Sequence, residues 1–143
     1  MTRSFISVSI LLMLFAATVG CGGKELAEVR GKVTFGGQPV TSGVLVFSPI
    51  AKSEDQAPGK SSTGDIQPDG SFQLSTHQIH DGAIVGRHRV RFIPSIDDDE
   101  KVDSPRMTSS DYSHLTLPAD YVTEVESGKD NEINIELVQR SAQ

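Results

Sequence analysis

The sequence predicts an all-β fold, a Greek-key β-sandwich of about seven strands, on three observations. No apolar stripe of helical period follows residue 20. Turn signals containing Gly, Pro, Asp or Asn recur about every 8 to 12 residues, and between them apolar and polar side chains alternate in short runs. The 143 residues include 13 Gly and 7 Pro but only 6% aromatic residues, which suits turns and short strands better than long helices. The chain is long enough for one modest core, and its net charge of −6 excludes nucleic acid as a default partner, because phosphate binding needs a clustered basic surface.

The expected organisation is a leader over residues 1–20, a short linker over 21–28 and a sandwich over 29–143. Arg3 precedes a charge-free, mostly apolar run of 16 residues from Phe5 to Gly20 that ends in small side chains, the pattern of a secretory signal peptide. A run of that length is shorter than the roughly 20 residues a helix needs to cross a bilayer core.

Thr18-Val19-Gly20-Cys21 follows, and it resembles a bacterial lipobox, in which the Cys after a small residue receives a diacylglycerol thioether and becomes the N-terminus. Thr18 stands where Leu is usual. Cys21 is the only Cys in the chain, so no disulfide partner accounts for it. Several acyl chains such as palmitate would hold the protein at a membrane, since each buried methylene contributes about 0.8 kcal/mol. The expected location is the bacterial cell envelope, outside the cytoplasm.

Strand signals begin at residue 29, where Val29, Gly31, Val33 and Phe35 share one face and Arg30, Lys32 and Thr34 the other. Gly36-Gly37 and Pro39 break the alternation, and the apolar run of residues 44–47 predicts the second strand of a hairpin. Residues 51–61 are too polar to offset the entropy of ordering and are expected to form an exposed loop. Residues 63–67 and 71–75 flank Pro68-Asp69-Gly70 and predict a second hairpin, with Ile66, Phe72 and Leu74 inward. In the strand of residues 82–93, His88, Val90 and Phe92 point inward and Arg87, Arg89 and Arg91 outward. Residues 95–116, which include Asp97-Asp98-Asp99-Glu100, are expected to form a long loop. Residues 121–125 and 132–138 close the domain, with Ile133, Ile135 and Leu137 inward.

These stretches also carry a family resemblance. VRGKVTFGGQPVTSGVLVFSP (residues 29–49), DGSFQL (69–74), GAIVGRHRV (82–90) and LPADY (117–121) occur in that order. Together they resemble small bacterial lipoproteins with a carboxypeptidase-regulatory-like, transthyretin-like (prealbumin-like) domain. The resemblance implies a prealbumin-like sandwich with no catalytic centre, of a kind often appended to enzymes as an accessory module. It also implies that Tyr121 is a corner residue bonding backbone.

Chemistry-bearing patterns are sparse. No nucleophile-elbow sequence occurs, and the single Cys is assigned to the N-terminus, so the expected protein is not an enzyme and needs no cofactor. His77, His80 and Asp81 form the densest ligand-like cluster and could hold zinc or copper if His114 joined them; solvated loop residues are the simpler reading. The acidic run of residues 97–100 lacks the spacing of a calcium loop.

Arg87, Arg89 and Arg91 form the most directional binding signal, a row suited to carboxylate or sulfate groups on a glycan. Against it, Glu132 and Glu136 could pair with them across the sheet. The leading expectation is a non-enzymatic envelope lipoprotein anchored through Cys21, a binding or structural module with an envelope protein or glycan as partner. The alternative is a prealbumin-like enzyme or a metal-binding periplasmic protein. Tyr112, Tyr121 and the four His make an iron site formally possible, but they show no dioxygenase motif, and the chain end lacks the Tyr-Arg-Gly-Ser of hydroxyisourate hydrolases.

Overall fold

Period-two burial runs through the described chain, which comprises residues 23–95 and 112–141 of a computed structural model. Its strands are β1 (Leu26–Ala27), β2 (Val29–Phe35), β3 (Gln38–Pro39), β4 (Val44–Pro49), β5 (Ser62–Asp65), β6 (Ser71–Gln73), β7 (Ala83–Ile84), β8 (Gly86–Ile93), β9 (Leu115–Thr116), β10 (Val122–Val125), β11 (Asn131–Glu132), β12 (Ile135–Glu136) and β13 (Val138–Gln139). The fold is an all-β sandwich. One sheet has the order β10-β8-β4-β5, and the other is built on β2, which pairs with β3, β6, β11 and β12.

Leu45, Phe47 and Val90 from the first sheet and Val29, Val33 and Phe72 from the second share one core with Leu74, Leu115, Ile135 and Leu137. The Phe47 and Phe72 rings meet across it, with centroids 6.2 Å apart. Removing a side chain such as Phe47 from water contributes about 2–3 kcal/mol. The inward row of residues 133–137 is present, although β11, β12 and β13 divide what the alternation predicts as one strand.

Strand partners differ from the expected hairpins. β3 folds back on β2, pairing Phe35 with Gln38 and Thr34 with Pro39. The chain then leaves that sheet, and β4 pairs with β5 and β8 instead. Burial of Val40 and the positive φ of 125° at Gly43 accompany the crossing. The second expected hairpin keeps its turn, where Asp69 Oδ1 accepts from Ser71 N at 2.9 Å and from Ser71 Oγ at 2.6 Å. Its arms splay apart. β5 joins β4, β6 joins β2, and the two meet through the bridge of Thr63 with Ser75.

The linker expected over 21–28 is shorter, because Leu26–Ala27 pairs antiparallel with Ala83–Ile84. The long loop is shorter too, since Leu115–Thr116 pairs with Val138–Gln139; most of it, residues 96–111, lies outside the described residues. The corner expected of Tyr121 is not what the structure shows: the hydroxyl that bonds backbone is that of Tyr112, which accepts from Thr41 N at 3.2 Å across a long stretch of chain.

β2 runs antiparallel to β6 and parallel to β11 and β12, so the first long strand and the last strands share a sheet. Gly31 permits this. A Cβ built there would lie 1.9 Å from the Ile133 carbonyl oxygen, a backbone atom that cannot yield without moving the strand. Asn131 secures the same junction, donating through Nδ2 to Glu28 O at 3.1 Å and accepting at Oδ1 from Glu126 N at 2.8 Å.

Gly31→Ala should therefore cost about 3 kcal/mol or more in urea unfolding. Gly36→Ala, where no atom lies within 4 Å but φ is +57°, should cost only about 1 kcal/mol. Equal costs at the two sites would refute the packing account.

Candidate functional site

The arginine row lies where alternation puts it. Arg87, Arg89 and Arg91 on β8 are exposed, while His88 and Val90 between them are buried. In register, Glu124 lies beside Arg87, Val122 and Ser48 flank Arg89, and Val46 lies beside Arg91. Half-buried Val44 and 49%-exposed Ile93 continue the same outer face. The row thus borders an aliphatic strip, along which arginine stems can lie while the guanidiniums remain in water.

Glu132 and Glu136 do not pair with this row, because β11 and β12 join β2 in the other sheet. Glu136 is engaged there by Thr34 Oγ1 and by Gly37 N at 3.4 Å. The hydrogen bond from Thr34 is the main reason its carboxyl is held below the usual 4.5; partial desolvation opposes the shift and the Gly36 and Gly37 backbone supports it. Among the described residues the ion pairs are Arg30 with Asp130 and Lys129 with Glu126, so none involves the three row arginines.

The cluster of His77, His80 and Asp81 forms a self-capped turn. Asp81 Oδ1 accepts from Thr76 N at 2.6 Å, and Oδ2 accepts from His77 N and Gln78 N, both at 2.9 Å. These bonds commit the carboxylate to backbone, and both imidazoles are exposed. Among the described residues no group of three or more His, Cys, Asp and Glu side chains converges for a metal ion; His114 instead packs edge-on against Phe35. The metal set read from the sequence is therefore not assembled, because the turn uses the carboxylate itself.

His80 has a φ of 60°, an uncommon conformation for a residue with a Cβ, costing roughly 1–2 kcal/mol. Its N–H donates to Ser75 Oγ at 2.9 Å. The turn presents Ile79, which is 85% exposed.

His88 is fully buried, and its ring centroid lies 6.1 Å from that of Phe47. Nε2 is 2.6 Å from Ile84 O; a carbonyl only accepts, so Nε2 carries the proton in the neutral ring, and Nδ1 is buried with no hydrogen-bond partner among the described residues. Its place is in the core, as its position beside Val90 implies.

The arginine row does not form a broad concave surface. Arg87 reaches a small cavity of about 200 Å3 that Lys24 and Lys52 also line. A larger groove, about 760 Å3, lies over the outer faces of β2, β6 and β5, beneath the turn of residues 76–81. Sequence reading missed this groove because its walls come from strands distant in the chain. The only local signal was the polar half of each alternating run.

Cys21 lies outside the described residues. Among those residues no helix is long and apolar enough to cross a membrane.

The capped turn has a defined acid response. Partial desolvation raises the Asp81 pKa, but hydrogen bonds from the Thr76, Gln78 and His77 backbone outweigh it and hold the carboxyl below its usual 3.8. A depressed folded pKa means that its stabilising contribution is complete above the ordinary value and is lost as pH falls through the folded one. Denaturation midpoints should therefore fall more steeply below about pH 3.8 in the parent protein than in Asp81→Asn. Parallel curves would show that this carboxylate's charge does not stabilise the fold.

Comparison of the chain with protein-family models, with curated proteins and with solved structures finds no match.

Proposed function

We propose that the chain is a non-enzymatic, lipid-anchored protein of the bacterial cell envelope, carrying a carboxypeptidase-regulatory-like sandwich. In this reading it presents the arginine face of its β8 sheet to an anionic glycan or an acidic envelope protein. The anchor rests on Cys21 closing the apolar run of residues 5–20. Folded structure starts at Leu26, five residues on, so the sandwich would begin within about 18 Å of the acylated end.

The observation that carries the binding role is the row Arg87, Arg89 and Arg91, exposed and without an ion pair among the described residues. Two-residue spacing separates neighbouring guanidinium stems by about 6.8 Å along an extended strand, which suits repeated carboxylate or sulfate groups. Each can accept a bidentate pair of charge-assisted hydrogen bonds. The identity of the sheet supports the reading further, since the two glutamates best placed in sequence to neutralise the row lie elsewhere.

Intact mass should show a polypeptide that begins at Cys21 and carries diacylglycerol, and Cys21→Ala should abolish that modification. An unmodified chain beginning at Met1 would end the anchor reading. On a dextran sulfate column, Arg89→Ala should elute at lower salt than the parent while shifting stability by no more than about 0.5 kcal/mol. Unchanged elution would remove the motive for assigning that face to anion binding.

A further inference from the structure

We infer that the groove over β2, β6 and β5 is a second binding site, which takes an uncharged, hydroxyl-rich oligosaccharide chain. At about 760 Å3 it has room for several linked pyranose rings, and it is open along one side, as a polymer running through it requires. It spans the seam where β5, the edge strand of the β8 sheet, meets the β2 sheet, and none of the three row arginines lines it.

The floor is a grid set by strand register. Arg30 lies beside Gln73 and Lys32 beside Ser71 on β2 and β6, and Thr63 lies beside Ser75 where β5 meets the end of β6. Buried Phe72 and Gly31 underlie the polar layer and keep it at the surface. Strands about 4.8 Å apart and rows about 6.8 Å apart therefore carry amide, hydroxyl and charged groups at fixed intervals. Amides and hydroxyls both donate and accept, so each can satisfy a sugar hydroxyl, which does the same.

Charge decides between ligand classes. Arg30 and Lys32 are balanced within the groove by Asp65 and Glu132, so a polyanion or a polycation would meet repulsion as well as attraction. A neutral ligand rich in hydroxyls pairs with both signs. Gln73 is half-buried and Asp65 exposed, so their polar ends are accessible without refolding.

The rim supplies the apolar contact that a pyranose face needs. Ile79 is the most exposed large hydrophobic residue among those described, and it borders this groove. It is not held there by burial. Asp81 clamps the backbone on one side of it and Ser75 Oγ holds His80 N on the other, with His80 at positive φ. A turn whose polar groups are used to display an aliphatic side chain beside a polar groove is accounted for by a ligand with both hydroxyl edges and C–H faces.

The test is equilibrium titration of the full-length protein in a zwitterionic, sugar-free detergent with cellohexaose, maltohexaose and chitohexaose. At least one should bind, with less than about twofold change in affinity across a tenfold change in salt. Gln73→Ala and Ile79→Ser should each weaken binding at least fivefold at unchanged melting temperature, as should Gln67→Ala, an exposed residue of the groove lining whose replacement leaves the core intact. Lys60→Ala, outside the groove, should have no effect. Absence of binding by all three sugars, equal binding by the groove variants, or affinity that falls steeply with salt would overturn the inference. Dextran sulfate elution is read at Arg89, which does not line the groove, so failure here is distinguishable from failure of the anion-binding reading.

Discussion

The close approach of the Ile133 carbonyl to Gly31 governs the architecture. β2 is the strand on which four others depend: β3 and β6 run antiparallel to it, β11 and β12 parallel. A side chain at position 31 would push the last strands away from the first and open the core where Ile135 and Leu137 seal it. Parallel pairing of chain ends is entropically expensive to close, since more than a hundred residues separate the partners. It is sustained by burial of the inward row and by the amide of Asn131, which bonds Glu28, Glu126 and Lys129 at once.

That arrangement has a direct electrostatic result. By drawing Glu132 and Glu136 into the β2 sheet, it separates the acidic outward positions of the final strands from the basic outward positions of β8. Arg87, Arg89 and Arg91 therefore stand beside aliphatic side chains and Glu124, whereas Arg30 and Lys32 share the groove with Asp65 and Glu132. Exposed cross-strand ion pairs contribute at most about 1 kcal/mol, so little stability is lost by leaving the row unpaired. The two surfaces differ in the ligands they can accept, since the row is predominantly basic and the groove is balanced.

Much of this was legible in local pattern. Alternation placed Val90 and the row Ile133, Ile135 and Leu137 inward and the β8 arginines outward, and the apolar run of residues 44–47 marked the strand that buries Leu45 and Phe47. Asp69-Gly70-Ser71 encoded its turn through a side chain that bonds two residues ahead. Asp81 showed the limit of such reading. A carboxylate near two imidazoles suggests a ligand set, but its oxygens point to three neighbouring backbone N–H groups. Short-range backbone bonding competes with metal coordination for the same lone pairs, and residue type alone does not say which prevails.

The sequence by itself determined the all-β class, the faces of the long strands and the main turns, because side-chain alternation and turn chemistry act within a few residues. Tertiary structure alone decided which strand neighbours which: the crossing of β4 away from β2, the splaying of β5 from β6, and the return of the last strands to the first. Those choices rest on how distant apolar rows fill one core and on where a missing Cβ lets two backbones meet. The groove is their product, since β2, β5 and β6 contribute polar faces that no single stretch of sequence contains.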